Sequence, residues 1–457
     1  MNVIILSAIL GVIMMYTGVM SKNKSTARYV ATAGILALIG ANWLEFAGVN
    51  FFNIDTRGML EFTSFGLVFN LIILVCTLVY FLLSGKDLEE VGANAADYFA
   101  LIFFILTGIA IVSAFKTMLM LFIGIEIISI PLYILAGSDK KNLRSNEAAL
   151  KYFLMGSFST GLMLMGIALL YGATGTFYTD GMYLGLGNIT VMKMAGLVLL
   201  MISLGFKVSA VPFHFWTPDV YDGSPTVFTS FMATIVKAAF FIAFLLLFEN
   251  AFGRMHSEWQ FAMALITAAT LIIGNITAVF QQSVKRMLAY SSIAQAGFML
   301  LAIFALNNIG KQGLILYTAA YSLPTIGIFA VLMRMKDYTY EGFNGFAKHQ
   351  PLLAALLAVF LFSLAGIPLT GGFFAKYYML VAAMKNGAMF WLVIIGVCCA
   401  AISVYYYFRI IQAMYFREGA DPGIQVSEGF KTVLVLTAVL VIILGVHPDW
   451  LLHLLDN

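Results

Sequence analysis

Four ionisable residues stand inside long apolar runs: Glu126 in LFIGIEIISIPLY, Lys207 in LGFKVSA, Lys237 in FMATIVKAAFF and Lys376 in GGFFAKYYML. An ionisable group at the centre of a bilayer costs ~2.5–3.5 kcal/mol even on a lenient insertion scale, so function is its default reading. Depth follows from a rise of ~1.5 Å per residue, which puts the midplane ~10 residues from either end of a span. Glu126 lies ten residues beyond Lys116, Lys237 twelve beyond Pro225, Lys207 fourteen beyond Lys193, and Lys376 nine before Lys385. All four therefore fall near mid-depth. One carboxylate cannot neutralise three ammonium groups, so static pairing accounts for at most part of the set. A lysine held between a desolvating environment and a nearby carboxylate is switched between charged and neutral forms by a modest change in local field. A proton relay needs that property.

Two of the lysines sit beside predicted helix breaks. The stretch GFKVSAVPFHFWTPDVYDGSP (205–225) carries Pro212 and Pro218, and the run around GIPLTGGFFAK carries Gly366, Pro368, Gly371 and Gly372. Broken backbone at membrane depth is tolerated only where protein or a water-filled cavity satisfies its polar groups. A matched pair of Gly/Pro-interrupted spans points to a transport site between repeats. His214 follows the first break and reads equally as a relay member or a structural donor. Asp219 and Asp222 belong at a cytoplasmic mouth. Lys151, Arg409, Glu45 and Glu249 lie near span ends and read as structural, the two cations by snorkelling.

The elements that must hold these residues follow from composition. Of 457 residues 62% are hydrophobic and 10% charged, with mean hydropathy +0.96, against about 25% charged in a soluble domain. Alternation in ~10-residue units, the mark of a membrane barrel, is absent. The fold class is an all-α polytopic membrane protein. Fourteen spans are expected, at about 2–20, 28–48, 62–84, 95–114, 116–136, 148–171, 189–222, 225–249, 257–280, 286–306, 311–333, 352–384, 389–416 and 430–451. The seventh and twelfth are the longest, and both are interrupted. The first span has no basic stretch before it and does not read as a cleavable signal peptide.

Lysine and arginine concentrate in the odd-numbered loops, from Lys22, Lys24 and Arg28 to Arg334, Lys336, Lys348 and Arg417. Those loops are therefore expected in the cytoplasm, with both termini on the outer side. The segment KDLEEVGANAAD (86–97) reads as a net acidic loop. Cys76, Cys398 and Cys399 lie in apolar spans without CxxC spacing and predict no metal site. No Fe–S, flavin or dinucleotide motif is present, so no cofactor is expected on this chain. Nothing points to nucleic acid.

The segments LFIGIEIISIPLYIL, NEAALKYFLMGSFSTG, GFKVSAVPFHFWTPDVYDGSPTVFTSFMATIVKAAFF, VKRMLAYSSIAQAGFM and GIPLTGGFFAKYYML resemble the N-subunit (chain-2 type) family of proton-pumping NADH–quinone oxidoreductase, respiratory complex I. The TPDVY wording sets the chain apart from the related L and M types and from multisubunit sodium/proton antiporter chains, and the lysine at position 376 sets it apart from the M type, which carries glutamate there. The resemblance implies two inverted five-helix repeats, spans 4–8 and 9–13, with spans seven and twelve discontinuous. Residues 1–94 then form an N-terminal three-helix segment, 95–250 an uptake half-channel, 251–416 a release half-channel, and 417–457 the last loop and helix. It further implies that Glu126 pairs with Lys207, that Lys237 links the half-channels, and that Lys376 serves the exit. The implied setting is a bacterial inner membrane. The implied partners are the other membrane subunits of the complex and the lipid bilayer, with quinone met only through the whole assembly. The alternative is a chain of a multisubunit cation/proton antiporter, which shares the architecture. A lysine-dominated axis without a carboxylate cluster argues against a sodium path.

Overall fold

The computed structural model describes residues 1–455 except 22, 93, 186–189, 386, 388 and 422. Lys22, counted above among the cytoplasmic cations, and the first residue of the expected seventh span lie outside the described residues. Twelve described helices are long and apolar enough to cross a membrane. They are α1 (Asn2–Met20), α2 (Lys24–Phe46), α3 (Ser64–Val91), α4 (Ala95–Val112), α5 (Met118–Ala136) and α6 (Leu143–Thr174). After an interrupted crossing come α9 (Thr226–Asn250), α10 (His256–Val279), α11 (Val284–Ala305) and α12 (Asn308–Leu332). A second interrupted crossing precedes α15 (Phe390–Phe416) and α16 (Glu428–Val446).

The interrupted crossings are each two half-helices. The first is α7 (Val191–Lys207) and α8 (Trp216–Gly223), joined by turns in which Ser209 has φ +66° and the Val211–Pro212 peptide is cis. The second is α13 (Pro351–Ala365) and α14 (Gly371–Lys385), joined through Gly366 at φ +85° and Leu369 at φ +72°. Protein groups satisfy the freed backbone, as membrane depth requires. The Trp216 indole N–H donates to the Phe206 carbonyl at 3.0 Å, and the Val211 N–H donates to Thr270 Oγ1 on α10 at 2.9 Å.

Three details differ from the sequence reading. Gly371 and Gly372 open α14 rather than lying in the second gap, and Pro218 does not lie in the first. It occupies the first turn of α8, where an N–H has no helical acceptor and proline costs little. The segment KDLEEV, expected as loop, continues α3 to Val91, because lysine, leucine and glutamate are good helix formers and lose little by extending an existing helix.

α9, α11 and α12 are buried nearly throughout, whereas α1, α2 and α6 keep apolar side chains such as Tyr16, Tyr29 and Phe158 on the outside. The three buried helices form the axis around which the lysines are arranged. Asp87 at the end of α3 takes a bidentate pair from Arg334 just after α12, at 2.7 and 2.9 Å. That pair ties the N-terminal helices to the second half of the chain.

Candidate functional site

The three central lysines are buried, at 4% (Lys207), 2% (Lys237) and 6% (Lys376) exposure. Each stands at, or reaches to, a place where a helix departs from regular geometry. Lys207 is the last residue of α7, at the carbonyl end of a half-helix. Lys237 directly follows a π-helical segment, Met232–Val236, inside α9. Lys376 sits in the second turn of α14, and its ammonium reaches the Ala365 carbonyl at 2.9 Å. Ala365 ends α13, so that oxygen is one of the four that a helix terminus leaves without an amide partner. Negative potential gathers at such an end, which favours a cation by about 0.3–1 kcal/mol and more when partly buried.

Oxygen atoms without formal charge hold all three lysines. Lys207 Nζ lies 2.9 Å from Ser129 Oγ and 3.4 Å from the Tyr133 hydroxyl, both on α5. It also faces the Tyr133 and Phe240 rings at 6.0 and 5.9 Å. Lys237 Nζ donates to the carbonyl and the hydroxyl of Ser292 on α11, at 3.1 and 2.9 Å, and faces the Tyr221 ring at 5.6 Å. Lys376 adds Ser403 Oγ at 3.3 Å and the Phe298 ring at 5.0 Å.

The expected ion pair is not formed directly. Glu126 accepts from Thr160 Oγ1 on α6 at 2.8 Å, and among the described residues no cation stands within 4.0 Å of it. Ser129, which holds Lys207 Nζ, lies three residues from Glu126 on α5, a spacing that puts the two side chains on one face of that helix. Sequence gives the depth of a charge but not the rotamer that would close a pair.

His214 lies in the gap between α7 and α8, 6% exposed, stacked on Phe215 at 4.6 Å. It makes no hydrogen bond to the four central residues, and its Nδ1 is buried without a partner among the described residues. Asp219, expected at a solvated mouth, is bridged by Lys151 at 2.9 Å and by Arg286 at 3.3 Å. Arg409 reaches the Val279 carbonyl at 3.1 Å and covers the Tyr340 ring at 3.8 Å.

Between Lys237 and Lys376 the structure assembles polar groups that sequence reasoning had not singled out. Gln295, one turn past Ser292, donates to the Leu364 carbonyl and the Tyr407 hydroxyl, both at 3.1 Å, and accepts from the Tyr317 hydroxyl. Tyr407 also meets Ser291 at 2.5 Å. Gln295, Tyr317, Tyr321 and Lys376 line one small cavity. The available signal was the polar row Ser291, Ser292, Gln295 in an otherwise apolar helix, which reads as mere packing until the facing helices are known. The arrangement can carry a proton along hydroxyl, amide and ammonium groups.

The family described as "NADH:quinone oxidoreductase/Mrp antiporter, TM" matches residues 116–403. NADH-quinone oxidoreductase subunit N of Cytophaga hutchinsonii is 40% identical over 469 residues, covering 99% of each chain. A chain in a structure of respiratory complex I from Thermus thermophilus superposes with TM-score 0.84 at 30% identity, covering 98% of this chain and 97% of that one. A chain of the Mrp complex from Dietzia sp. superposes with TM-score 0.85 at 17% identity, a likeness of fold alone.

Proposed function

The chain belongs to the NADH:quinone oxidoreductase/Mrp antiporter family, and from that premise we propose how its residues move protons. It is an antiporter-like, proton-translocating membrane subunit of NADH–quinone oxidoreductase, embedded as a multi-pass protein among the other membrane subunits of that complex. The setting is a bacterial inner membrane with both termini outward, in keeping with the lysine and arginine bias of the odd-numbered loops. Electron transfer belongs to other subunits, and this chain supplies no redox centre.

In this reading residues 95–250 form the uptake half-channel and 251–416 the release half-channel, flanked by 1–94 and 417–457. Lys207 loads a proton from the cytoplasm. A charge change in a neighbouring subunit acts on Glu126 and, through the Ser129 face of α5, on Lys207. The proton passes to Lys237, then by Ser292 and Gln295 to Lys376, which releases it outward. Waters bridge the longer gaps, since packed helix axes stand about 8–10 Å apart. The observation carrying this reading is that each central lysine is buried at a helix irregularity, or reaches one with its ammonium, and is held by oxygens without formal charge. Such sites stabilise an ammonium without locking it into an ion pair.

Lys207→Ala in a fully assembled complex tests the scheme. NADH–quinone turnover and proton pumping are expected to fall together. Normal levels of both would make Lys207 structural and overturn the relay.

A further inference from the structure

Lys207 needs a supply of protons, and the way in is not marked by the family's charged residues. A cleft opens among the ends of α3, α4, α5 and α6, lined by Asp97, Tyr98, Ser138, Asp139, Asn146 and, at one side, Tyr133. Ser138 Oγ is buried there with no partner among the described residues, the signature of a position satisfied by water. The hydroxyl of the same Tyr133 lies 3.4 Å from Lys207 Nζ. Tyr133 is thus a single side chain with one surface on a polar cleft and its hydroxyl on a buried lysine.

The placement of that hydroxyl is built in. Tyr133 is wedged edge-on between Tyr152 and Phe153 of α6, at ring-centroid distances of 4.8 and 5.8 Å. Its hydroxyl occupies the space beside Gly156, where a methyl group would overlap it. Only glycine at that position lets the hydroxyl lie against α6 while facing Lys207.

We propose that the cleft among α3–α6 is the cytoplasmic inlet and that the Tyr133 hydroxyl is the last link before Lys207, positioned by Gly156. When Lys207 is a neutral amine, the Tyr133 O–H donates its proton to Nζ while a hydronium ion or water in the cleft gives one to the phenol oxygen. Two O–H bonds break, the phenol's and the donor's, and one N–H and one new phenol O–H bond form. Water is left where hydronium was the donor and hydroxide where water was, and no phenolate accumulates. This inference rests on the role proposed for Lys207.

The test uses the assembled complex in inverted membrane vesicles, whose outer face is cytoplasmic. It compares Tyr133→Phe, Gly156→Ala and Lys207→Ala for NADH–quinone turnover, pumping and the solvent deuterium isotope effect. Tyr133→Phe keeps the ring and loses the hydroxyl. Turnover and pumping are expected to fall about a hundredfold, at the low end of what a positioned proton-transfer group contributes, and the isotope effect to rise as uptake becomes limiting. Gly156→Ala is expected to reproduce both changes. Should either variant fail to assemble, Asn146→Cys provides a second route. A charged, membrane-impermeant thiol reagent at that cleft residue is expected to stop turnover in the variant and not in the unmodified complex. Normal turnover in Tyr133→Phe beside an inactive Lys207→Ala overturns the inlet and leaves the relay standing, as does an unaffected Asn146→Cys adduct. An active Lys207→Ala overturns both.

Discussion

Gln295→Leu is the sharpest perturbation of the link proposed between Lys237 and Lys376. The Gln295 amide makes three hydrogen bonds, to the Leu364 carbonyl, the Tyr407 hydroxyl and the Tyr317 hydroxyl, all in the buried interior. Each is worth about 0.5–1.5 kcal/mol net, so their joint loss costs ~3 kcal/mol locally. Leucine nearly fills the same volume, so no water takes over the missing donors and acceptors. If half the loss, about 1.5 kcal/mol, appears in the barrier for passing a proton from Ser292 toward Lys376, transfer slows roughly tenfold. Gln295→Glu keeps the shape and the oxygen that accepts from Tyr317 but replaces the amide donor with an oxygen facing the Leu364 carbonyl, and is expected to slow transfer as well. The assay is proton pumping and NADH–quinone turnover in proteoliposomes, with assembly checked on native gels. A leucine variant that assembles and turns over like the wild type would refute a path through Gln295, leaving the polar row on α11 as packing.

Other outcomes follow from the same geometry. At Gly372 a methyl group would overlap the Ser363 carbonyl of α13, so Gly372→Ala is expected to force the half-helices apart and abolish the assembled complex on a native gel; normal yield would mean the two halves are not held in that close approach. Asp87→Ala strands Arg334, which is only 22% exposed, and should destabilise by about 2 kcal/mol, read as a lower unfolding temperature. Glu61→Gln should change almost nothing, because the Lys116–Glu61 pair at 2.7 Å is half exposed on the acid's side and such pairs are worth about 0–1 kcal/mol. The Glu61 hydrogen bond holds the Lys116 ammonium above its ordinary value. Its contribution is therefore complete below the usual lysine range and lost only as pH rises past the raised value. Stability traces of the two proteins between about pH 6 and 8 should run parallel; divergence there would assign the titration to another group.

The four mid-depth charges were legible in the sequence because a charge inside twenty apolar residues has few bland explanations. The two interrupted crossings were legible because proline and glycine mark them. What the sequence left hidden is distance and direction. It suggested a Glu126–Lys207 pair, where the chain instead places Ser129 and Tyr133 on the lysine and Thr160 on the glutamate. It passed over Ser292 and Gln295 because polar residues facing another helix look like those facing a void. It could not locate the π segment before Lys237, because no residue type in MATIV codes for an extra residue per turn. The end of α3 was missed for the opposite reason: charged residues that form helix well also look like loop in a membrane chain.

The charge balance bears on how such a subunit is driven. Three buried ammonium groups, each paired to a carboxylate, would sit in deep wells, and moving a proton would mean breaking an ion pair at membrane depth each time. Hydroxyls, carbonyl oxygens and ring faces hold the three instead. These partners stabilise a cation less than a carboxylate does, by a margin the local field can overcome. The carbonyl end of α13 contributes to Lys376 through a helix terminus, whose effect falls off within a single turn. A small shift of α13 against α14 would therefore change the preference of Lys376 for its proton steeply. The same holds at Lys207, placed at the end of α7 beside a gap whose backbone is pinned by Trp216 and Thr270. Loosening one pin should therefore alter pumping without touching any titratable group. Thr270→Val, which removes the acceptor for the Val211 amide and keeps the side-chain volume, isolates that effect: turnover is expected to fall severalfold, for a buried hydrogen bond worth about 1 kcal/mol, with assembly intact. Unchanged turnover would mean that the gap is a passive kink and that the lysine at its edge is controlled from elsewhere.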